Sequence, residues 1–315
     1  MWDLLLAPLS VPLDPSKRLF WGCLLSSLVV ASVAVTIHAG RFDLRAQLRA
    51  LFDRHYWLNR STLQDVGLLF LNNAIRLLVL VPIVGSHLAL TLATGRFLQA
   101  NLGDAPSLEL PWFAIATIYG LTFFVAEDAS RFFLHLAMHR CPLLWRFHRV
   151  HHSARTLTPL TLFRQHPVEQ ALYFARGTVV FGVVSGFFIW LFGRHLTTFD
   201  ILGVDLLGFL FNMAAANLRH SHVWLSFGPL ERWFVSPAQH QLHHSRDHGN
   251  VNLGSYLAIW DRILGTAHRA GAKRELTFGL PESSARGVGP FQSLRRGAAP
   301  TRAMPPSTAT TSPVT

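Results

Sequence analysis

From Leu19 to Ile37 the chain reads LFWGCLLSSLVVASVAVTI, without a single charged residue. A run of this length matches the roughly 20 residues a helix needs to cross the hydrocarbon core of a bilayer. Lys17 and Arg18 precede it, and no small-x-small cleavage site leads on to a soluble domain, so the run reads as an anchor and not as a cleaved leader. Further apolar stretches run from Pro111 to Ala126, from about Gly177 to Phe192 and from about Phe199 to Ala216. Another, Val66 to Ala93, is broken by Asn72, Asn73, Arg76 and Pro82, and reads either as one tilted span or as a bent pair of half-spans.

Such runs leave little charge for a water-facing surface. Charged residues make up 14% of the 315 and hydrophobic ones 50%, whereas a soluble domain carries about 25% charged residues. The expected fold class is therefore all-α: a polytopic helical membrane protein. Disordered, collagen-like and disulfide-scaffold chains are excluded on the same grounds. The two cysteines, Cys23 and Cys141, are too few for an iron–sulfur cluster or a Cys-rich zinc site.

The 28 basic residues outnumber the 17 acidic ones and give a formal charge of +11. They cluster in Arg41–Arg60, in Arg131–Arg164 and after Arg219. Five crossings with the N-terminus outside would put all three clusters on the cytoplasmic side, as the positive-inside rule asks. Nucleic acid is not an expected partner, because most aromatics lie inside apolar runs and not among the arginines. Between Arg41 and Trp57, Leu44, Leu48, Leu51 and His55 recur at helical spacing, with Arg41, Arg45, Arg49 and Asp53 elsewhere on the wheel. That pattern predicts an amphipathic helix, lying in the headgroup layer or linking two spans.

Histidine is the unusual residue. Of 17, thirteen fall between His135 and His248. His135 and His139 stand in HLAMH, His148, His151 and His152 in HRVHH, and His240, His243 and His244 in HQLHH. Residues three and four apart share a helix face, so each box is expected to present its imidazoles to one point. Imidazole suits Zn, Cu, Fe and Ni, and eight rings exceed what one tetrahedral zinc needs. They would suit two neighbouring metals. His166 in QHPVE and the pair His220 and His222 in RHSHVW are further candidates, with His222 the weaker. His38, His55, His87, His195, His248 and His268 read as ordinary core or surface residues. Glu169, three residues after His166, is placed to orient that imidazole. Asp128, two turns before His135, is placed to do the same there.

Three function classes remain open on these residues. A metal-dependent membrane oxidoreductase would hold its site at the membrane face, on the arginine-rich side. A metal transporter or metal-binding protein would place polar groups near the midplane, as Asp205 and Asn212 in the fifth run allow. A zinc-dependent membrane hydrolase would normally show HExxH, which the sequence lacks.

The order HLAMH, HRVHH, RHSH, SPAQHQLHH, followed by NLGSYLAIWDRILGT, resembles the fatty acid hydroxylase / sterol desaturase superfamily of membrane-bound di-iron oxygenases, and its bacterial sterol-desaturase-like members in particular. The resemblance covers about Glu127 to His268. It implies three regions: 1–126, an N-terminal transmembrane region; 127–268, a catalytic region with two further spans and a histidine-rich helical metal-binding cap; and 269–315, a C-terminal extension expected to be disordered from about residue 287. By the same resemblance the iron ligands would be His135, His139, His148, His151, His152, His240, His243 and His244. His166 and His220 stand at positions that commonly carry histidine, and His222 stands where relatives often have Asn. Asp261, in the WDR triplet, would be structural or would support a ligand.

The cofactors implied are two iron ions, with O2 as co-substrate. The reaction implied is hydroxylation or desaturation of a sterol-like, fatty acyl or related lipid. The location implied is the bacterial inner membrane, with the metal site facing the cytoplasm. The chain shows no Rossmann glycine motif, too few cysteines for a ferredoxin and no appended haem domain, so a separate reductase, ferredoxin or cytochrome would bring electrons. Arg146, Arg149 and Arg155 could attract such a carrier or anionic headgroups, or merely reflect topology.

Overall fold

The computed structural model describes residues 8–15, 17–105, 108, 110–193 and 206–280. The tail expected to be disordered from about residue 287, Asp205 and the start of the fifth apolar run lie outside the described residues. Within them the chain is helical, and β structure is limited to the isolated bridges Phe234–Leu257 and Ser245–Phe278. Four helical stretches are long and apolar enough to cross a membrane: Trp21–Ala39, Arg60–Leu102, Trp112–Arg140 and Pro167–Phe192. They mark an integral membrane protein. Of the fifth run, the described part is the short helix Leu206–Ala214.

Helix α1 is Trp21–Ala39 and α2 is Leu44–Leu51. The amphipathic helix expected over residues 41–57 is broken. Asp43 caps α2 by accepting Ala46 N–H, and Asp53 starts a separate turn, Arg54–Trp57, by accepting His55 N–H. An aspartate that offers its side chain to the following backbone favours a cap over a helix interior.

The broken apolar stretch is a single bent traverse. Helix α3 (Arg60–Ile75) passes into a π-helical turn, Arg76–Leu80, and then Val81–Val84. The path breaks at Gly85 and resumes as α4, His87–Leu102. Its two ends reach opposite ends of α7 (Pro167–Phe192): the Ser61 hydroxyl accepts from the guanidinium of Arg164, near the start of α7, and Trp190 Nε1 donates to the Gly103 carbonyl. Helix α4 packs against α7 at Gly182 and Gly186. A Cβ on Gly182 would come within 2.5 Å of Leu90 Cγ, and one on Gly186 within 2.5 Å of Thr94 Cβ. Small residues four apart let two membrane helices approach closely, where packing and not water exclusion holds them.

Helix α5 (Trp112–Arg140) also packs on α7, through Ile115, Tyr119, Phe123, Phe188 and Phe192. Tyr119 and Ser185 join their hydroxyls at 2.6 Å. With 29 residues, α5 is about 43 Å long at 1.5 Å per residue, longer than the roughly 30 Å hydrocarbon core. Its last turns, which carry His135 and His139, therefore have length to spare beyond the apolar layer.

Candidate metal centre

Local sequence sets each histidine helix in place. Pro142 cannot continue α5, so the chain turns at Cys141, which closes α5 and opens α6 (Pro142–His152). This corner folds the second box back over the first. Ser236 and Gln239 form a reciprocal capping box, with Pro237 at the first turn, and start α9, Pro237–His244. Ala238 and Leu242, both fully buried, pack the opposite face of α9 against Trp224 and Ala270. Burying a leucine stabilises by about 1.5–3 kcal/mol, and this anchorage turns His240, His243 and His244 the other way. The intervening helix, Leu206–Ala214, is α8, and a 3-10 turn after it, Ala216–His220, brings in His220.

Nine imidazoles gather in two groups. His135, His139, His148, His152 and His243 form the first, and His151, His220, His240 and His244 the second; in each, one ring nitrogen per residue lies within 4.8 Å of all the others. The second and third boxes thus do not each serve one point. His148 and His152, four apart on α6, face the first group, while His151 faces the second; on α9, His243 joins the first group while His240 and His244 join the second. Adjacent helical residues are turned by about 100°, which suffices to split one box between two neighbouring centres. The centres touch: the rings of His152 and His244 stack at 4.6 Å, and those of His148 and His151 lie 5.6 Å apart.

The ring nitrogens are oriented for metal. His135 Nδ1 sits 2.7 Å from the Leu253 carbonyl, His243 Nδ1 3.0 Å from that of Val251, His151 Nδ1 3.3 Å from that of Arg164, and His148 Nδ1 2.8 Å from Glu169 Oε1. The three carbonyls only accept, so His135, His243 and His151 carry the proton on Nδ1 and donate, as His148 does when Glu169 is a carboxylate, leaving a lone pair on Nε2. Those lone pairs converge. His148 Nε2 is 3.0 Å from His135 Nε2, and His243 Nε2 is buried without a hydrogen-bond partner among the described residues. In the second group the Nε2 atoms of His220, His240 and His244 lie 3.1–3.2 Å from one another. Inward lone pairs on the rings that donate through Nδ1 fit a cation and fit poorly with an empty interior. Burial, with the neighbouring imidazoles adding to it, pulls His148, His152, His220, His240, His243 and His244 well below the ordinary histidine value, and His151 to about 3. The rings are neutral at pH 7, the state in which imidazole ligates.

The supporting carboxylates differ from expectation in two places. Glu169 pairs with His148 and not with His166. His166 is the N-cap of α7, with its Nδ1 accepting Val168 N–H and its ring 4.8 Å from Phe147. It stands outside the helix that carries Glu169, so the three-residue spacing does not align them, and it lies outside both groups. Asp128 does not reach His135. It accepts from Tyr256 N–H, Leu257 N–H and Trp260 Nε1 at 2.8–3.0 Å. Asp261 accepts from Leu253 N–H, Gly254 N–H and the Thr266 hydroxyl at 2.6–2.8 Å. The two aspartates therefore fix the loop whose carbonyls, Val251 and Leu253, orient His243 and His135. Only glycine fits at 254, where a Cβ would meet Asp261 Oδ2 at 2.7 Å. His222 also lies outside both groups, edge-on to Tyr56 at 4.6 Å.

One supporting pair is absent from the sequence reading. Arg164 is 2% exposed and reaches Asp65 Oδ1 at 2.5 Å, and its carbonyl receives His151. Thr161 donates to the other oxygen of Asp65 at 2.9 Å, and the Arg164 guanidinium also donates to the Ser61 carbonyl. The available signal was an aspartate directly before the apolar run that begins at Val66.

Residues 120–266 match the model of the fatty acid hydroxylase family. Over these residues the chain is similar to that family. It is 30% identical over 176 residues to an ornithine lipid hydroxylase of Rhizobium tropici, covering 55% of this chain and 48% of that one. It is 27% identical over 174 residues to the alkylglycerol monooxygenase of Homo sapiens, covering 55% and 35%. Against a very-long-chain aldehyde decarbonylase of Oryza sativa the identity is 26% over 233 residues, covering 73% and 83%. The chain thus spans about half or less of the first two relatives' length. No solved structure matches it.

Proposed function

We propose that the protein is a membrane-bound, O2-dependent lipid hydroxylase or desaturase that works with two iron ions, one at each histidine group. The observation that carries this is the pair of adjacent, buried imidazole sets whose ring nitrogens converge, with His135 and His139 in the last turns of the 29-residue α5. Iron bound there would supply the O2 activation that oxidation of an unactivated C–H bond needs. The chain's own part is to hold geometry and exclude water. Glu169, Leu253, Val251 and Arg164 fix four rings through Nδ1, as partners of metal-binding histidines do. A chamber of about 330 Å³ opens beside His135, His148, His151, His220 and His240, and gives a lipid access to both groups.

The relatives' names support a lipid substrate, and the family match favours oxidation over metal transport or zinc hydrolysis. Residues 127–268 would hold the chemistry. The arginine-rich face would look to the cytoplasm across a bacterial inner membrane, and a separate protein would bring electrons. Metal analysis of protein purified without chelator, joined to O2 uptake with membrane lipid and a chemical reductant, tests the reading. About two irons per chain and lipid-dependent uptake are expected. Zinc alone, or metal flux in vesicles without O2 uptake, would overturn it.

A further inference from the structure

The chamber beside the histidines has a second wall, and it is made of arginine. Arg18, Arg76, Arg131, Arg176 and Arg219 all line it. They come from the segment before α1, the π-helical turn after α3, helices α5 and α7, and the 3-10 turn that carries His220. Arg219 is buried and the other four are partly so; guanidinium groups taken out of water are costly unless paired, so their counter-charges matter.

Glu127 serves two of them: it holds Arg131 at 2.7 Å and Arg176 at 2.7 Å. One carboxylate between two guanidiniums leaves a unit of positive charge. Glu169 is turned to His148. Among the described residues, no carboxylate lies within 4.0 Å of Arg18, Arg76 or Arg219. Asp128 acts on Arg219 at longer range, but its oxygens already accept three N–H groups. Arg219 is 5% exposed, with its guanidinium over the Tyr256 ring at 5.5 Å. Arg18 donates to the Ala216 carbonyl, while its Nε is buried without a partner, as is that of Arg176. Burial above all, and then the charges of Arg219 and Arg131, pull Arg18 down to about 9. Arg76 opens a π-helical turn, a local departure often found at functional sites. The cationic wall faces neutral imidazoles, which offer it no compensation.

We propose that this chamber binds the anionic group of a lipid, a phosphate or carboxylate, through Arg18, Arg76 and Arg219. An anion there would meet the partnerless Nε of Arg18 and supply the guanidiniums of Arg76 and Arg219, which have no carboxylate within 4.0 Å among the described residues, with charge-assisted, fork-shaped hydrogen bonds. A lipid is assigned, and not a free ion, because α5, α7 and the bent α3–α4 traverse that bound the chamber are the apolar spans, and Leu162, Tyr173 and Phe174 line it as well. As a statement about substrate this rests on the oxidation reading above; as a statement about binding it does not.

The test uses the full-length protein in a neutral detergent. Native mass spectrometry reads retained ligand against concentration for three probes: dilauroyl phosphatidic acid (chains and anion), dilauroylglycerol (chains alone) and inorganic phosphate (anion alone). One phosphatidic acid per chain is expected, held about tenfold or more tighter than either other probe. Arg76→Gln, at a half-buried position, should weaken that lipid about tenfold and leave dilauroylglycerol unchanged, and Arg76→Lys should restore most of the difference. Arg219→Gln should act in the same direction; as its site is buried, it counts only where its elution and melting match the wild type. Equal retention of phosphatidic acid and dilauroylglycerol, indifference to Arg76→Gln, or phosphate bound as tightly as the lipid would each overturn the proposal. Iron is measured in the same samples. Arg76-dependent lipid binding without iron would defeat the oxidation reading and keep this one; two irons without lipid discrimination would do the reverse.

Discussion

Replacing Glu169 with Gln isolates what one carboxylate does for one ring. Glu169 Oε1 receives His148 Nδ1–H at 2.8 Å, and both side chains are 2% exposed or less. Glutamine keeps the size and removes the charge. Its amide either accepts the same bond more weakly or turns its NH2 to the ring, which moves the imidazole proton to Nε2. There the proton would point at the Nε2 atoms of His135 and His139, 3.0 and 3.1 Å away. Loss of such a partner weakens metal binding about 10- to 100-fold, about 1.4–2.7 kcal/mol. His148 belongs to the five-ring group only, so the effect should be one-sided. Titrating purified Glu169→Gln with a graded chelator and measuring iron per chain should show about one of two irons leaving at about 10- to 100-fold less chelator than in wild type. Release identical to wild type, or both irons shifting together, would refute the assignment of Glu169 to that group.

His139→Ala and His244→Ala should each lose about one iron and all turnover, yet elute as folded protein, because apolar packing and not the rings holds the helices. His166→Ala and His222→Ala should keep wild-type iron content, since both stand outside the two groups; metal analysis at matched purification decides it. Gly186→Leu would drive a side chain into Thr94 and the Thr91 carbonyl, and overpacking of this kind costs about 1–3 kcal/mol. A lower melting midpoint in detergent is expected, and an unchanged midpoint would mean that α4 and α7 are not tightly packed there.

Much of this was legible in the sequence. Apolar runs marked the spans, and the spacing of His135 with His139 showed a shared face, because both effects follow from the helix repeat alone. The division of the later boxes between two centres was harder to read. It depends on the roll of α6 and α9, which Trp224 and Ala270 set from elsewhere for α9. The three-residue spacing of His166 and Glu169 implies a shared face only inside a helix, and His166 stands at a helix start, so Glu169 meets His148 instead. Asp128 misses His135 for another reason: it and Asp261, whose supporting role was expected, act through backbone N–H groups of residues 253–257, and no residue type signals a backbone partner. Asp65 and Arg164 meet across 99 positions, beyond any local pattern.

The division of rings between the two groups has a consequence for how the protein is made. Four of the five rings of the first group, His135, His139, His148 and His152, lie on α5 and α6 and emerge early in synthesis. The second group has only His151 by then and waits for His220, His240 and His244. A nascent chain therefore offers a four-ring half-site, able to capture an ion, while the other site does not yet exist. His243 closes the first group in the same turn of α9 that completes the second. On the two-iron proposal, filling would run in the order of translation, and a supply of iron that lapses midway would leave chains loaded at the first group alone.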